Sequence, residues 1–365
     1  MNDEGAREFH PRLVTSGPMP ARILIVSDAW TPQVNGVVRT LATVAAELSA
    51  MGHTVEVVGP DRFRTMPCPT YPDIRLSLLP RRRLIRIIEA FNPDALHIAT
   101  EGPLGLAARA WARRRGFAFT TAFHTRFPEY VQARIGLSPG LAYRFLRRFH
   151  GAGQGVMVAT DSLRAELSRR GFHRLRHWSR GVDLELFRPE LRTEAPDFVD
   201  LPRPVFAYVG RVAVEKNIRA FLDLDLPGSK VVVGGGPQLA DLKRSYPGVH
   251  FTGARFGTDL ARAYASADVF VFPSLTDTFG LVVLEALACG TPVAAYPATG
   301  PRDILAGATV SVGAIDADLR QAALRALQAD RADCRAYAET FSWRACAETF
   351  LTHLVPLHAL HREAA

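Results

Sequence analysis

The sequence predicts an α/β protein built from two parallel-sheet units in series, and three observations carry that prediction. Short apolar, β-branched runs alternate with segments of helical periodicity. The alternation stops in one proline-bearing interval and then restarts with similar spacing. At 365 residues, the chain also exceeds the size at which a single core usually stops growing. The expected boundaries are a flexible leading segment (1–20), a first unit (21–187), a linker (188–204), a second unit (205–342) and a C-terminal helix (343–365) that crosses back to the first.

The elements follow in order. Residues 22–27 hold an Ile-Leu-Ile-Val core that reads as a buried strand, followed by a polar turn over 28–36. A helix pattern through Leu41, Val44, Ala45 and Leu48 ends near Gly52. Strand 55–58, a proline-rich interval, a basic segment ending near Phe91, strand 95–98, a helix over 106–115 and strand 118–122 come next. Strand 156–159 leads into a Thr160-Asp161-Ser162 cap and a helix to Arg170. Four prolines and mixed charge break the pattern between Phe187 and Pro204. Strands 205–209, 230–233, 250–252 and 269–272 then alternate with helices from Asn217, over 258–265 and over 281–288. Mostly parallel sheets covered on both faces satisfy this order, which gives two Rossmann-like domains facing across a cleft.

Composition narrows the function classes. No run of eighteen nearly charge-free apolar residues is present and residues 1–20 lack a continuous apolar core, so a spanning or secreted protein is not expected. Cys68, Cys289, Cys334 and Cys346 form no C-x-x-C pair, which favours buried free thiols in a reducing compartment. Residues 1–180 hold 26 arginines, no lysine and 14 acids, net +12; the remainder holds 18 basic and 22 acidic residues, net −4. Runs at Arg81-Arg82-Arg83, Arg113-Arg114-Arg115, Arg147-Arg148 and Arg169-Arg170 suit an anionic membrane surface or nucleic acid, or stand as a solvated face. No RNA-reading aromatic motif or zinc-finger spacing accompanies them, so nucleic acid is not expected as a partner.

Candidate functional residues cluster where strands end. Asn35-Gly36 lies between the first strand and its helix, where glycine either permits a turn or lets a phosphate reach the amides. Gly235 sits in Gly234-Gly235-Gly236-Pro237 after a strand; the run lacks the Lys-Ser/Thr end of a P-loop, so it is consistent with a nucleotide but not with ATP hydrolysis. Arg211 and Lys216 directly follow strand 205–209, as a diphosphate clamp or as a solvated charge cluster. Asp277 and Glu285 bracket a turn-to-helix transition with Thr278, Phe279 and Gly280 forming the loop between them. The two acids can accept bonds from sugar or ribose hydroxyls while the loop amides reinforce them, or they can simply cap the helix. His124 follows strand 118–122, as a sugar contact or a structural histidine. Asp28 and Asp161 are loop acids that ordinary capping would explain, and Asp223-Leu224-Asp225 ends a helix rather than a strand, which disfavours a metal-binding role.

The ordered set PQVNGVVRT, HTVEVVGP, AFHTRFPEY, SRGVDLELFRP, GRVAVEKN, GGGP and PSLTDTFGLVVLEALACGTPVA resembles the family 4 retaining glycosyltransferases of the GT-B type over nearly the full chain. The resemblance implies that Gly36 approaches donor phosphate, His124 contacts the transferred sugar, Arg211 and Lys216 hold the diphosphate and Glu285 binds ribose. Asp277 occupies the first acidic position of the family's E-x7-E pattern, where glutamate is common. The implied chemistry is metal-independent transfer with retention, with the nucleotide-sugar as substrate and no cofactor.

The TDTFG, CGTP and TGP spellings look most like bacterial glycosyltransferases acting on diacylglycerol, with mannosyltransferases close behind. A UDP-sugar donor, a lipid acceptor and a peripheral position on the inner face of the cell membrane are then expected. The alternatives are GDP-mannose, a soluble or polysaccharide acceptor, and a silent nucleotide-sugar-binding protein. Leu84, Ile85, Ile87 and Ile88 beside Arg81, Arg82, Arg83 and Arg86 either enter the lipid interface or cover the sheet. Oligomeric state has no reading in these motifs.

Overall fold

The computed structural model describes residues 21–33, 35–68, 71–126, 129, 139–194 and 196–357, with backbone alone at 71–73. The expected leading segment 1–20, part of AFHTRFPEY and the end of the chain lie outside the described residues.

Two six-stranded, all-parallel sheets organise the molecule. The first runs β2-β1-β5-β6-β7-β8, from β1 (Arg22–Val26), β2 (Thr54–Val58), β5 (Ala95–Ile98), β6 (Thr120–Phe123), β7 (Gly155–Val158) and β8 (Leu175–His177). The second runs β11-β10-β9-β12-β13-β14, from β9 (Val205–Val209), β10 (Ser229–Val233), β11 (His250–Gly253), β12 (Val269–Phe272), β13 (Val293–Ala295) and β14 (Gly313–Ile315). The central strands are buried on both faces, which is why they read as unbroken apolar runs. A separate antiparallel pair, β3 (Thr65–Cys68) and β4 (Tyr71–Ser77), occupies the proline-rich interval.

Among the described residues both sheets are covered by buried apolar clusters, three in the first domain and two in the second. In the first domain Leu24 and Val26 pack with Leu84, Ile88, Leu104, Trp111 and Phe149, while Ile23 and Ile25 pack on the other face with Leu41, Val44, Trp178 and Phe350. Leu84 and Ile88 are completely buried and Ile85 and Ile87 partly so. The helix Arg81–Phe91 therefore covers the sheet with these residues, and insertion of Leu84 and Ile88 into lipid is ruled out.

Residues 188–204, expected as a linker, hold the short helix Leu191–Glu194, and Phe187, Leu191 and Phe198 are buried in the second domain's core together with Val182. The prolines shape a packed segment, and the chain leaves the first core before it. The helix Trp343–His353 returns to the first domain, packing Trp343, Cys346, Ala347 and Phe350 beneath the helix Gly36–Ala50. Beyond it, Leu357 bonds with Asp94 and Ala118 through backbone groups at 2.9 and 2.8 Å. Among the described residues no helix is long and apolar enough to cross a membrane. Cys289, Cys334 and Cys346 are buried free thiols, and Cys68 is a half-buried one.

Candidate active site

The carboxyl end of the second sheet gathers most of the candidates. After β9, Tyr208 donates its buried hydroxyl to the Arg211 carbonyl at 2.7 Å and so fixes the start of the loop. The loop ends in a turn over Val214–Lys216, where the Lys216 ammonium meets Asp277 Oδ1 at 2.6 Å. Asn217 donates to the Pro273 carbonyl and Thr276 to the Glu215 carbonyl, stitching this loop to the one after β12. Asp277 therefore does not cap the following helix; its second oxygen is buried without a hydrogen-bond partner, an unusual state that a bound hydroxyl would relieve.

Glycines allow the loops to approach. A Cβ at Gly234 would fall 1.8 Å from the Gly210 carbonyl oxygen, and one at Gly236 would fall 2.3 Å from that of Val212. Both residues serve backbone packing; at Gly235 a Cβ would meet only Ala254, at 3.6 Å, so this is the position of the run with room beside it. Gly280 takes φ +91 at the mouth of the helix Leu281–Ala288, a conformation that disfavours other residues. Phe279 turns its ring into the core and has only its backbone to offer.

Glu285 is one turn inside that helix and only 4 % exposed, so it is neither a cap nor a solvated residue. One carboxylate oxygen accepts the Tyr264 hydroxyl at 2.9 Å, and the other takes a guanidinium nitrogen of Arg39 from the first domain. Burial pushes its pKa above the ordinary carboxylate value, while Arg39 and Tyr264 pull it back.

The first domain contributes its own strand ends. Asn35 caps the helix Gly36–Ala50 by accepting from the amides of Val37 and Val38, both at 3.0 Å. Two of the amides expected to meet a phosphate are thus already engaged. Gly36 faces the second domain, since a Cβ there would lie 3.6 Å from Leu281. His124 follows β6, with its ring against Trp178 and its Nδ1 3.5 Å from an Arg180 nitrogen. Burial first, then Arg180 and the neighbouring histidines, hold its pKa well below the usual value, so the imidazole is neutral. Its Nε2 is buried without a partner, and its carbonyl accepts the Thr278 hydroxyl at 2.6 Å from across the cleft. Arg126 grips Glu166 with two nitrogens and reaches Thr299 of the second domain at 3.3 Å; Thr299 in turn donates to the Asp277 carbonyl. A fourth crossing joins Ser162 to Asp303 at 2.6 Å through its amide.

Lys216 and Asp277 thus meet directly and Thr278 ties their loop to His124, while Gly36 and Glu285 meet the opposite domain separately, through Leu281 and Arg39. Asp28 and Asp223-Leu224-Asp225 do not join them. Asp28 caps the helix Pro103–Arg114 through the amides of Leu104 and Gly105. Asp223 ends the helix Ile218–Leu222 and accepts the Tyr246 hydroxyl at 2.5 Å, before β10 begins and away from the strand ends that carry the site. Sequence reasoning missed Arg39, Arg126, Tyr264, Thr278 and Thr299 as site residues. Arg39 and Arg126 lie inside two of the recognised motifs, but the Glu285 and Thr299 side chains that they reach across the cleft are in the other domain.

A second feature lies on the outer layer of the first domain. The helices Arg81–Phe91 and Pro103–Arg114 pack together, and Arg109 joins the latter to the helix Pro139–His150 through the carbonyls of Arg148 and Phe149. Arg81, Arg82, Arg83, Arg86, Arg113, Arg114, Arg144 and Arg148 are all exposed on these helices. Exposed apolar side chains are interspersed among them: Leu79, 96 % exposed, with Leu78, Leu106, Leu141 and Phe145.

Two parallel-sheet domains with polar loops meeting at their carboxyl ends define the GT-B class of glycosyltransferases. Residues 34–186 match the family described as "Glycosyltransferase Family 4", and residues 203–329 match "Glycosyl transferases group 1". The GDP-mannose-dependent alpha-mannosyltransferase of Mycobacterium tuberculosis is 33 % identical over 310 residues, which cover 78 % of this chain and 81 % of that protein. The alpha-monoglucosyldiacylglycerol synthase of Streptococcus pneumoniae is 28 % identical, over 75 % of this chain and 71 % of its own. Among solved structures, sucrose-phosphate synthase from Thermosynechococcus elongatus superposes with a TM-score of 0.70 at 22 % identity, covering 94 % of this chain and 99 % of that one, a likeness of fold. The chain belongs to glycosyltransferase family 4 and is a hexosyltransferase of the retaining type.

Proposed function

We propose that this enzyme moves a hexose from a nucleotide-sugar to a membrane lipid such as diacylglycerol, giving an α-linked glycolipid. The observation that carries the reading is the meeting of Lys216 and Asp277 at the end of one sheet with His124 at the end of the other, bridged by Thr278. In this reading Arg211 and Lys216 take the diphosphate, Gly36 and Gly235 leave room for phosphate and nucleotide, the amides beside Phe279 and Gly280 reinforce the phosphate site, and Glu285 takes the ribose hydroxyls. Asp277 and the neutral imidazole of His124 take sugar hydroxyls with the two atoms that have no partner now.

The acceptor hydroxyl arrives on the face from which the diphosphate departs. Its oxygen bonds to the anomeric carbon, the glycosidic electron pair leaves with the diphosphate, and a departing phosphate oxygen takes the hydroxyl proton. Arg211 and Lys216 act at that moment, because a preorganised cation stabilises growing negative charge more than the ground state. No metal is required, and the chain's own cations supply the neutralisation.

A UDP-sugar is the donor expected from the sequence. GDP-mannose is the second reading, favoured by the name of the M. tuberculosis relative. The lipid acceptor is supported by the name of the S. pneumoniae relative and by the basic outer layer of the first domain. That layer docks the enzyme on anionic lipid at the inner face of the membrane, with Leu78, Leu79, Leu141 and Phe145 as its apolar contacts. Purified protein assayed with UDP-glucose, UDP-glucuronate and GDP-mannose against diacylglycerol vesicles and soluble sugars tests the reading. An α-linked lipid product is expected; transfer to soluble sugars alone would overturn the lipid assignment, and donor binding with neither transfer nor hydrolysis would overturn catalysis.

A further inference from the structure

The contact between Arg39 and Glu285 has no part in the chemistry above, yet here, alone among the described residues, a first-domain cation enters the buried surroundings of a second-domain carboxylate that the reaction uses. Arg39 is in the first turn of the helix Gly36–Ala50, held by Asn35 through its own amide and through those of Val37 and Val38. Its guanidinium lies 5.3 Å from the centroid of the Phe187 ring, which in turn packs edge-on against Tyr264. The cation is thus guided by an aromatic face onto an oxygen of Glu285, whose other oxygen is held by Tyr264. Gly181, Val182, Leu281 and Trp343 line the rest of the site and bring no charge.

We infer that Arg39 is a positioning residue for the nucleotide donor: it holds Glu285 oriented and ionised for the ribose hydroxyls, and it does so only while the two domains are closed on one another. The inference rests on the reading that Glu285 takes the ribose. Each carboxylate oxygen has two acceptor sites, so one bond from Arg39 and one from Tyr264 fix the group and still leave two sites for a diol. A buried carboxylate that loses its cation takes up a proton at a higher pH than before, because desolvation penalises the charged form. The groups facing Glu285 are Arg39, the Tyr264 hydroxyl and the Cys289 thiol, and burial pushes the last two upward and keeps them neutral. Arg39 is therefore the cation that sustains the charge, and opening the cleft withdraws it.

The test is calorimetric titration with UDP and with GDP over about pH 5.5 to 8, on the full chain and on the variants Arg39→Gln, Arg39→Lys and Glu285→Gln. Glu285→Gln should weaken the preferred nucleotide roughly tenfold or more. Arg39→Gln should weaken it by a similar factor, and relative to the parent its affinity should fall away at a higher pH, a displacement that loss of shape alone would not cause. Arg39→Lys keeps the cation and should lose only a few-fold, with its acid limb where the parent has it. Unchanged affinity in Glu285→Gln would overturn both the ribose reading and this inference. A weakened Glu285→Gln beside a parent-like Arg39→Gln would overturn the inference alone. If the glutamine variant does not fold, a lysine variant that loses as much as Glu285→Gln would show that shape rather than charge matters, which also overturns it.

Discussion

The cleft and the outer layer of the first domain use charge in opposite ways. In the cleft, charged groups are held against partners: Lys216 with Asp277, Arg39 with Glu285, Arg126 with Glu166. On the outer layer, arginines stand exposed on three neighbouring helices with Leu79, Leu141 and Phe145 between them. A paired, half-buried charge is fixed in geometry and resists screening, which suits recognition of a small anion. An exposed array is loose and salt-sensitive, which suits a broad charged surface. The net charge of +12 over residues 1–180 is shared between the outer layer and arginines elsewhere, such as Arg39, Arg126 and Arg180, so the site cannot be inferred from it.

The sharpest break of this contrast would come from the cleft. Arg211→Ala and Lys216→Ala should each lower kcat/KM by about a hundredfold or more with the fold intact by circular dichroism, since water in a closed cleft cannot replace a positioned cation. Near-parental turnover in both variants would remove the diphosphate clamp. On the outer layer, replacing Arg81, Arg82, Arg83 and Arg86 with Ser should cut flotation with anionic vesicles by about tenfold or more, at roughly 1 kcal/mol per arginine in contact. Raising salt should weaken the parent in the same direction and leave transfer to a detergent-solubilised acceptor unaffected. Equal binding of the parent to neutral and anionic vesicles would rule out electrostatic docking.

Buried titrating groups supply a smaller effect. Burial and the Arg180 charge push His97 down to about 3, so its contribution to stability is complete above the unfolded value of 6.5 and is lost as pH falls from there towards 3. That loss is on the order of 2 kcal/mol at pH 5, and His124 shifts in the same direction. Asp28, which burial raises to about 6, works against it: its folded form gains the proton first, which stabilises the fold as pH falls from 6 towards 3.8. Tm should therefore drop by a few degrees between pH 7 and 5, less in His97→Gln and more in Asp28→Asn; a Tm that holds or rises on acidification would contradict the assignment. The smallest expected effect is none: EDTA should leave turnover unchanged, and restoration by Mg²⁺ after a loss would reopen the role of Asp223 and Asp225.

The fold was legible because fully buried parallel strands such as Val205–Val209 and Val269–Phe272 are continuous apolar runs. The strands Leu175–His177, Val293–Ala295 and Gly313–Ile315 escaped because three residues carry no periodicity, and Pro67 and Pro72 disguised the antiparallel pair. At the site, the strand-end residues Arg211, Lys216, Asp277 and His124 could be picked out by position in the chain. What could not be read was partnership: Arg39 and Glu285 are 246 residues apart, and Thr278 and His124 are 154 apart. Nothing local in either segment anticipates the other, and the same holds for the packing of Phe187, Leu191 and Phe198 that turned an apparent linker into core.

The return of the helix Trp343–His353 to the first domain also bears on the order of assembly. Trp178 donates its indole N–H to the Cys346 carbonyl, Phe350 packs against the same ring, and Leu357 closes the edge between Asp94 and Ala118. During synthesis the first domain's sheet can form early, but one of its faces has only the helix Gly36–Ala50 as cover until the helix Trp343–His353 has left the ribosome, after the whole second domain has been made. A fragment ending before Trp343 would uncover the Trp178 ring and the part of that face that Cys346, Ala347 and Phe350 fill, so a first domain expressed alone should be recovered as aggregate unless the helix Trp343–His353 is supplied with it.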